Sequence, residues 1–157
     1  QAKIVLHGVS MGAATVMMAA GREDLPPEVV AAVEDCGYTN ADELIAMQME
    51  NSFGLPAFPA MNLLNWRCEK VAGFNLHDAA PIDAVRHARV PILFIHGTKD
   101  TLVPPNMAEQ LYAAANAPKK ELLMIPGAVH AAASQADQQT YFRTIRKFVQ
   151  PYMEEQK

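Results

Sequence analysis

Cysteine is scarce in this chain: Cys36 and Cys68 are the two present in 157 residues. That is too few for a disulfide framework, and no CxxC or mixed Cys/His ligand spacing surrounds either of them. Both read as buried thiols rather than as a bridge or as metal ligands. An excess of positive charge is also missing. Thirteen Lys and Arg stand against seventeen Asp and Glu, a net charge of -4 with the signs mixed along the chain. A reader of nucleic-acid phosphates would need a basic face. Long apolar runs are lacking too. Met11 to Ala20 falls well short of the roughly 20 residues that span a bilayer, and Gly21-Arg22-Glu23-Asp24 ends it. There is no internal repeat, no low-complexity tract and no signal-peptide pattern, so the expected home is the reducing cytoplasm. What remains is half apolar and 19% charged, enough to bury a core in a chain of one domain's length.

That apolar content is arranged in alternating short runs. Lys3 to His7 is a β-prone run stopped by Gly8, the pattern of a strand buried on both faces. Met11 to Ala20 predicts a helix with Gly21 as its C-cap. After the Asp24-Leu25-Pro26-Pro27 turn, Val29 to Val33 predicts a second strand ending at Glu34-Asp35-Cys36-Gly37. Asn40 caps a helix through Leu44, Ile45, Met47 and Met49. The stretch from Phe53 to Trp66 is so rich in proline, aromatics and methionine that it reads as loops and short helices. Val90 to Ile95 is a strong buried strand stopped by His96-Gly97. Pro105 to Ala115 is a helix, Glu121 to Ile125 a fourth strand, and about Ala136 to Met153 a final helix that Pro151 bends or ends. Strand, helix, strand, insertion, strand, helix, strand, helix means an α/β fold: a parallel sheet of about four strands with right-handed crossovers.

The chemistry starts at Gly8-Val9-Ser10-Met11-Gly12, between the first strand and the first helix. A serine in so tight a turn needs small neighbours, which Gly8 and Gly12 supply, and the turn lifts its hydroxyl above the sheet edge. The Met11 N–H, at the helix start, points into the same space as an oxyanion donor. A serine hydroxyl is a poor nucleophile without a base, and the base needs an orienting acid. Two loops after later strands offer them. Asp100 follows the third strand in His96-Gly97-Thr98-Lys99-Asp100-Thr101-Leu102-Val103-Pro104, and His130 follows the fourth in Pro126-Gly127-Ala128-Val129-His130. Parallel strands bring these loops to one sheet edge. Asp35, at the end of the second strand, is the rival acid. His7 and His96 precede glycines at strand ends and are expected to bond backbone. His77 and His87 look solvated. Asp137 is an ordinary turn or cap residue, and Ser52 and Ser134 lack an elbow.

On these motifs the chain resembles the α/β-hydrolase superfamily of serine hydrolases, and within it bacterial esterases and acyl-peptidase-like members with a small cap inserted before the acid strand. The segments Lys3–Gly12, Ala80–Pro104 and Leu122–His130 carry the likeness. It implies Ser10 as nucleophile, Asp100 as orienting acid, His130 as general base, and residues 40–77 as a cap lining the acyl pocket. It implies hydrolysis of a small or medium carboxylic ester, with peptide or amide cleavage as the enzymatic alternative and a non-catalytic assembling fragment as the alternative from another class. No metal or organic cofactor is implied.

Such hydrolases build several strands before the elbow strand, and their second oxyanion donor comes from that region. This chain opens abruptly at Gln1 and holds no His-Gly-Gly-Gly or equivalent. Residues 1–157 are therefore expected to be the C-terminal portion of one catalytic domain, weakly active or inactive alone. An unpaired Ile4-Val5-Leu6 edge would be sticky, so it is expected to be covered by a second copy of the chain or by the N-terminal segment.

Overall fold

The computed structural model describes residues 2–154; Gln1, the abrupt opening, lies outside them. Four strands are present among the described residues: β1 (Ile4–Val9), β2 (Val29–Asp35), β3 (Ile92–Gly97) and β4 (Lys120–Ile125). They form one parallel sheet in the order β1-β2-β3-β4, as the alternation of elements requires. The two inner strands are the more apolar because both of their faces are covered. Ala32, Ile92 and Phe94 point to one face, where they meet Val16, Met17 and Ala20 of α1 (Met11–Ala20). Ala31, Val33, Leu93 and Ile95 point to the other. The period of two in the strands thus divides the core into two layers.

Two more short helices complete the first layer after an insertion of two longer ones. Helix α2 (Ala41–Phe53) is capped by the Asn40 side chain, which accepts from the N–H groups of Asp42 and Glu43. Helix α3 (Ala57–Ala72) follows, then a 3₁₀ turn over Leu76–Asp78. Helix α4 (Pro81–Val85) packs on α1 and helix α5 (Pro105–Ala114) on α4, with Val85 and Leu111 in the same core layer. On the opposite face lie α6 (Ala133–Ala136) and α7 (Gln138–Met153), which contribute Ala133, Tyr141 and Phe148. Pro151 falls in the last turn of α7 and does not shorten it. No helix among the described residues is long and apolar enough to cross a membrane.

Two local expectations need correction, and the C-cap expected at Gly21 is present for a different physical reason. The stretch from Phe53 to Trp66 is not loops and short helices: from Ala57 onward it is mostly one helix, broken near its start by non-helical Phe58. Pro59 sits in its first turn, where a missing N–H costs no hydrogen bond, so the proline content does not prevent a long helix. His96 and Gly97 do not stop β3 but belong to it, both paired with β4. Gly21 ends α1 in right-handed geometry (φ -87°). What demands glycine there is a close approach, since a methyl would lie 2.4 Å from the Ala84 carbonyl oxygen.

Candidate active site

Strand β1 runs into α1 through a single residue, Ser10, at φ 56° and ψ -116°. This is a strained conformation for a side chain larger than hydrogen. It is held from both sides: the Ser10 N–H donates to the Asp35 carbonyl at 2.8 Å, and the Ser10 carbonyl accepts from the Ala14 N–H. The two glycines of the elbow are unequal. A Cβ on Gly8 would sit 2.2 Å from the Gly12 carbonyl oxygen, so the turn closes only over a bare Cα. A Cβ on Gly12 would meet no described atom within 4 Å, so the room expected of it is not what fixes the turn. Met11 opens α1, where helix N–H groups have no partner within the helix.

The loops after β3 and β4 are tied to each other by backbone. The Thr98 N–H donates to the Ile125 carbonyl, the Lys99 N–H to that of Ala128 at 2.9 Å, and the Gly127 N–H to the Thr98 hydroxyl at 2.8 Å. Gly97 permits this, because a methyl there would lie 2.3 Å from the Ala128 oxygen. Asp100 is buried, and its Oδ1 accepts from the N–H groups of Leu102 and Val103 at 3.0 and 2.9 Å. Those bonds fix the plane of the carboxylate and aim Oδ2 at His130.

The result is a linear relay. Asp100 Oδ2 lies 2.7 Å from His130 Nδ1, and His130 Nε2 lies 2.8 Å from Ser10 Oγ. A carboxylate only accepts, so Nδ1 carries the proton and Nε2 is left to accept from the serine hydroxyl. The imidazole is one-fifth exposed and the carboxylate fully buried. Such an array can take the proton from Ser10, return it, and leave the oxygen nucleophilic between the two events.

The other singled-out residues are not members of the relay, although His96 Nε2 lies 3.4 Å from Asp100 Oδ2. Asp35 is buried, but its Oδ2 accepts from the Tyr141 hydroxyl at 2.9 Å. Burial pushes its carboxyl above the usual range, against the opposing pull of that hydrogen bond. His7 does not bond backbone: its Nε2 donates to the same Tyr141 oxygen at 3.0 Å. His96 does bond backbone, through Nε2 to the Val103 carbonyl at 2.9 Å. His87 is exposed. His77 is largely exposed yet lies 3.1 Å from Asp42. Asp137 caps α7 by accepting from the Thr140 N–H. Cys36 and Cys68 are free thiols. Burial pushes the Cys36 thiol up to about 12.

Two features were not foreseen. Glu34 is fully buried, with Oε2 accepting from the Gly37 N–H and Oε1 without a partner among the described residues. Burial raises its carboxyl to about 8. Cys36 adopts φ 51°, so that Ser10, Cys36 and Ala131 all lie in the left-handed region around one site. The non-glycine residue closing β2 gave no signal of this in sequence, because left-handed cysteine is uncommon and the reason for it is tertiary.

Residues 1–156 match the prolyl oligopeptidase family. The chain belongs to that family. Among curated relatives, an uncharacterized protein of Bacillus subtilis, YqkD, is 27% identical over 146 residues, covering 93% of this chain and 47% of its own length. The chain spans about half the length, or less, of the curated relatives it matches. Among solved structures, the Pyrococcus furiosus esterase Pf2001 superimposes with a TM-score of 0.70 at 21% identity, over 97% of this chain and 54% of that one. The Pyrococcus horikoshii acylaminoacyl peptidase does so with a TM-score of 0.66 at 17% identity, over 99% and 25%. At such identities the likeness is one of fold, and the fold is that of the α/β-hydrolases. Membership of the prolyl oligopeptidase family makes this a chain of a hydrolase family.

Proposed function

We propose that this chain carries the catalytic relay of a serine hydrolase that cleaves carboxylic esters through an acyl-enzyme on Ser10. The observation that supports it most is the continuous path from Asp100 Oδ2 through His130 to Ser10 Oγ, at 2.7 and 2.8 Å. Ser10 Oγ attacks the ester carbonyl while His130 Nε2 takes its proton. His130 then returns that proton to the leaving alcohol, and Asp100 holds the imidazolium through Nδ1–H. Water repeats the cycle and releases the acid. The Met11 N–H donates to the oxyanion.

Residues 40–77 act as the cap. Phe53, Phe58, Leu63 and Trp66 are exposed large apolar side chains of this insertion, which suit acyl or aromatic acyl groups. Gln48 Nε2 donates to the Leu102 carbonyl at 2.7 Å, tethering the cap to the Asp100 loop. Amide cleavage is the second reading, favoured by the family itself. The free side of β1, where Ile4 and Val9 are 44% and 41% exposed, is the place for a further strand, from an N-terminal segment or a second copy. That strand's following loop would bring the second oxyanion donor. The two free thiols suit a reducing cytoplasmic setting.

The test is turnover of a panel of p-nitrophenyl esters and aminoacyl p-nitroanilides, by this chain alone and by a longer form carrying residues N-terminal to it. Ester turnover exceeding anilide turnover, and lost in Ser10→Ala, is the expected result. Anilide turnover exceeding ester turnover selects the peptidase reading. Without one of two oxyanion donors the chain alone is expected to run about 10²–10³ slower than the longer form.

A further inference from the structure

The relay is not the only chemistry that converges at the end of β3. Cys36 closes β2, buried to 1% exposure. Its Sγ, a carboxylate oxygen of Asp100 and a ring nitrogen of His130 all lie within 4.8 Å of one another. In sequence these three residues are far apart and show no ligand spacing; the sheet brings them together because β2, β3 and β4 are adjacent and parallel. The backbone of Ser10 and of Ala131 lies beside the same sulfur and works against the effect of its burial. A residue at φ 51° would ordinarily be Gly or Asn. Neither would place a sulfur between the nucleophile loop and the histidine loop.

We propose that Cys36, Asp100 and His130 form a binding site for a thiophilic divalent cation such as Zn²⁺, and that filling it switches the relay off. One sulfur, one imidazole nitrogen and one carboxylate oxygen is a donor set that Zn²⁺ takes, with water in the fourth position. Mg²⁺ and Ca²⁺ require oxygen-rich shells, which this site does not offer. Around a tetrahedral Zn²⁺ such donor atoms stand about 3.4–3.6 Å apart, by geometry from the usual bond lengths. The donor atoms here lie within 4.8 Å of one another, with Asp100 Oδ2 and His130 Nδ1 2.7 Å apart, and the one-fifth-exposed His130 is the side chain of that pair with room to adjust. Asp100 is already oriented through its other oxygen by the N–H groups of Leu102 and Val103, the kind of outer support metal-binding carboxylates receive. On binding, the Cys36 sulfur loses its proton to solvent and the ion takes its place.

The ion and the relay compete for the same atoms. Bound through Nδ1, the neutral imidazole carries its proton on Nε2; bound through Nε2, its free lone pair is taken by the ion; in both cases the nucleophile loses its base. This inhibitory half rests on the hydrolase reading; the binding half does not.

Co²⁺ serves as the spectroscopic probe. Titrating the chain with Co²⁺ should produce a sulfur-to-cobalt charge-transfer band that saturates at one equivalent and is displaced by Zn²⁺. Cys68→Ser, which removes the thiol on α3, should keep the band. Cys36→Ala should lose it, and so should Cys36→Ser, which preserves the side chain's size; circular dichroism of both verifies the fold. Zn²⁺ should then abolish fluorophosphonate labelling of Ser10 in the parent chain, with recovery on adding a chelator, and leave Cys36→Ser labelled. Absence of a saturable band in the parent, or its persistence in a folded Cys36 variant, overturns the site. A normal band with labelling indifferent to Zn²⁺ overturns the switch. Failure of Ser10 to label without metal, in this chain and equally in a longer form carrying residues N-terminal to it, overturns the hydrolase reading while the band still decides the site.

Discussion

The sheet-end loops and the α2–α3 insertion stand over the same sheet edge but are held by different physics. Ser10, Asp100 and His130 sit on loops pinned by backbone hydrogen bonds, with glycines at 8 and 97 allowing chain segments to touch. In the insertion, the buried residues are Ala41 in α2 and Met61 and Asn65 in α3, while Phe58 and Trp66 are 73% and 53% exposed. Its anchor is polar instead: Asn65 donates to Asp42 at 2.8 Å and accepts from the Leu76 N–H at 3.1 Å. The lesson is one of division of labour. A relay must be fixed to within a fraction of an ångström to be useful. A surface that receives a substrate or a covering segment keeps apolar area to bury, worth about 1.5–3 kcal/mol per large side chain.

The comparison breaks most visibly at the relay. Ser10→Ala or His130→Ala should lower ester turnover by about 10⁴–10⁶, and Asp100→Asn by about 10⁴, if these residues act as one unit. Asp35→Asn, which touches Tyr141 rather than His130, should change turnover by less than about tenfold. Steady-state kinetics on the longer form checks all four, and equal losses at Asp35 and Asp100 would undo the assignment.

Next in size is the elbow's glycine asymmetry. Gly8→Ala forces a methyl onto the Gly12 carbonyl and should cost about 4 kcal/mol or leave the chain unfolded. Gly12→Ala, placed in open space within α1, should be neutral or stabilising by up to about 1 kcal/mol. Urea denaturation of both variants separates them.

Glu34 sharpens the contrast through pH. Its carboxyl is raised from 4.5 to about 8 in the fold, so the folded chain keeps a proton that the unfolded chain releases. Its contribution to stability is fully present below about 4.5 and is lost progressively up to about 8, above which it levels off. Glu34→Gln can still accept from the Gly37 N–H and should flatten that slope. Denaturant midpoints across this range provide the check. The smallest effect belongs to the cap: Trp66→Ala should raise KM for aromatic esters by about fivefold with kcat nearly unchanged, the signature of lost uniform binding.

Much of this site was legible because parallel strands buried on both faces read as apolar runs, and functional loops begin where those runs stop. Ser10, Asp100 and His130 each follow such a run, so their shared edge could be anticipated from order alone. Helix α3 was hidden by Pro56, Pro59 and the surrounding aromatics, whose positions within a helix matter more than their number. The tie between His7 and Tyr141 spans 134 residues, and no local pattern announces it. The same holds for Cys36, whose conformation and neighbours exist only once β2 lies beside β3.

The central claim, that Ser10 is made nucleophilic by His130, is tested most directly by fluorophosphonate labelling followed by peptide mapping. The account predicts a covalent adduct on Ser10 that disappears in folded His130→Ala. An adduct on another serine, or undiminished labelling of Ser10 without His130, would contradict it.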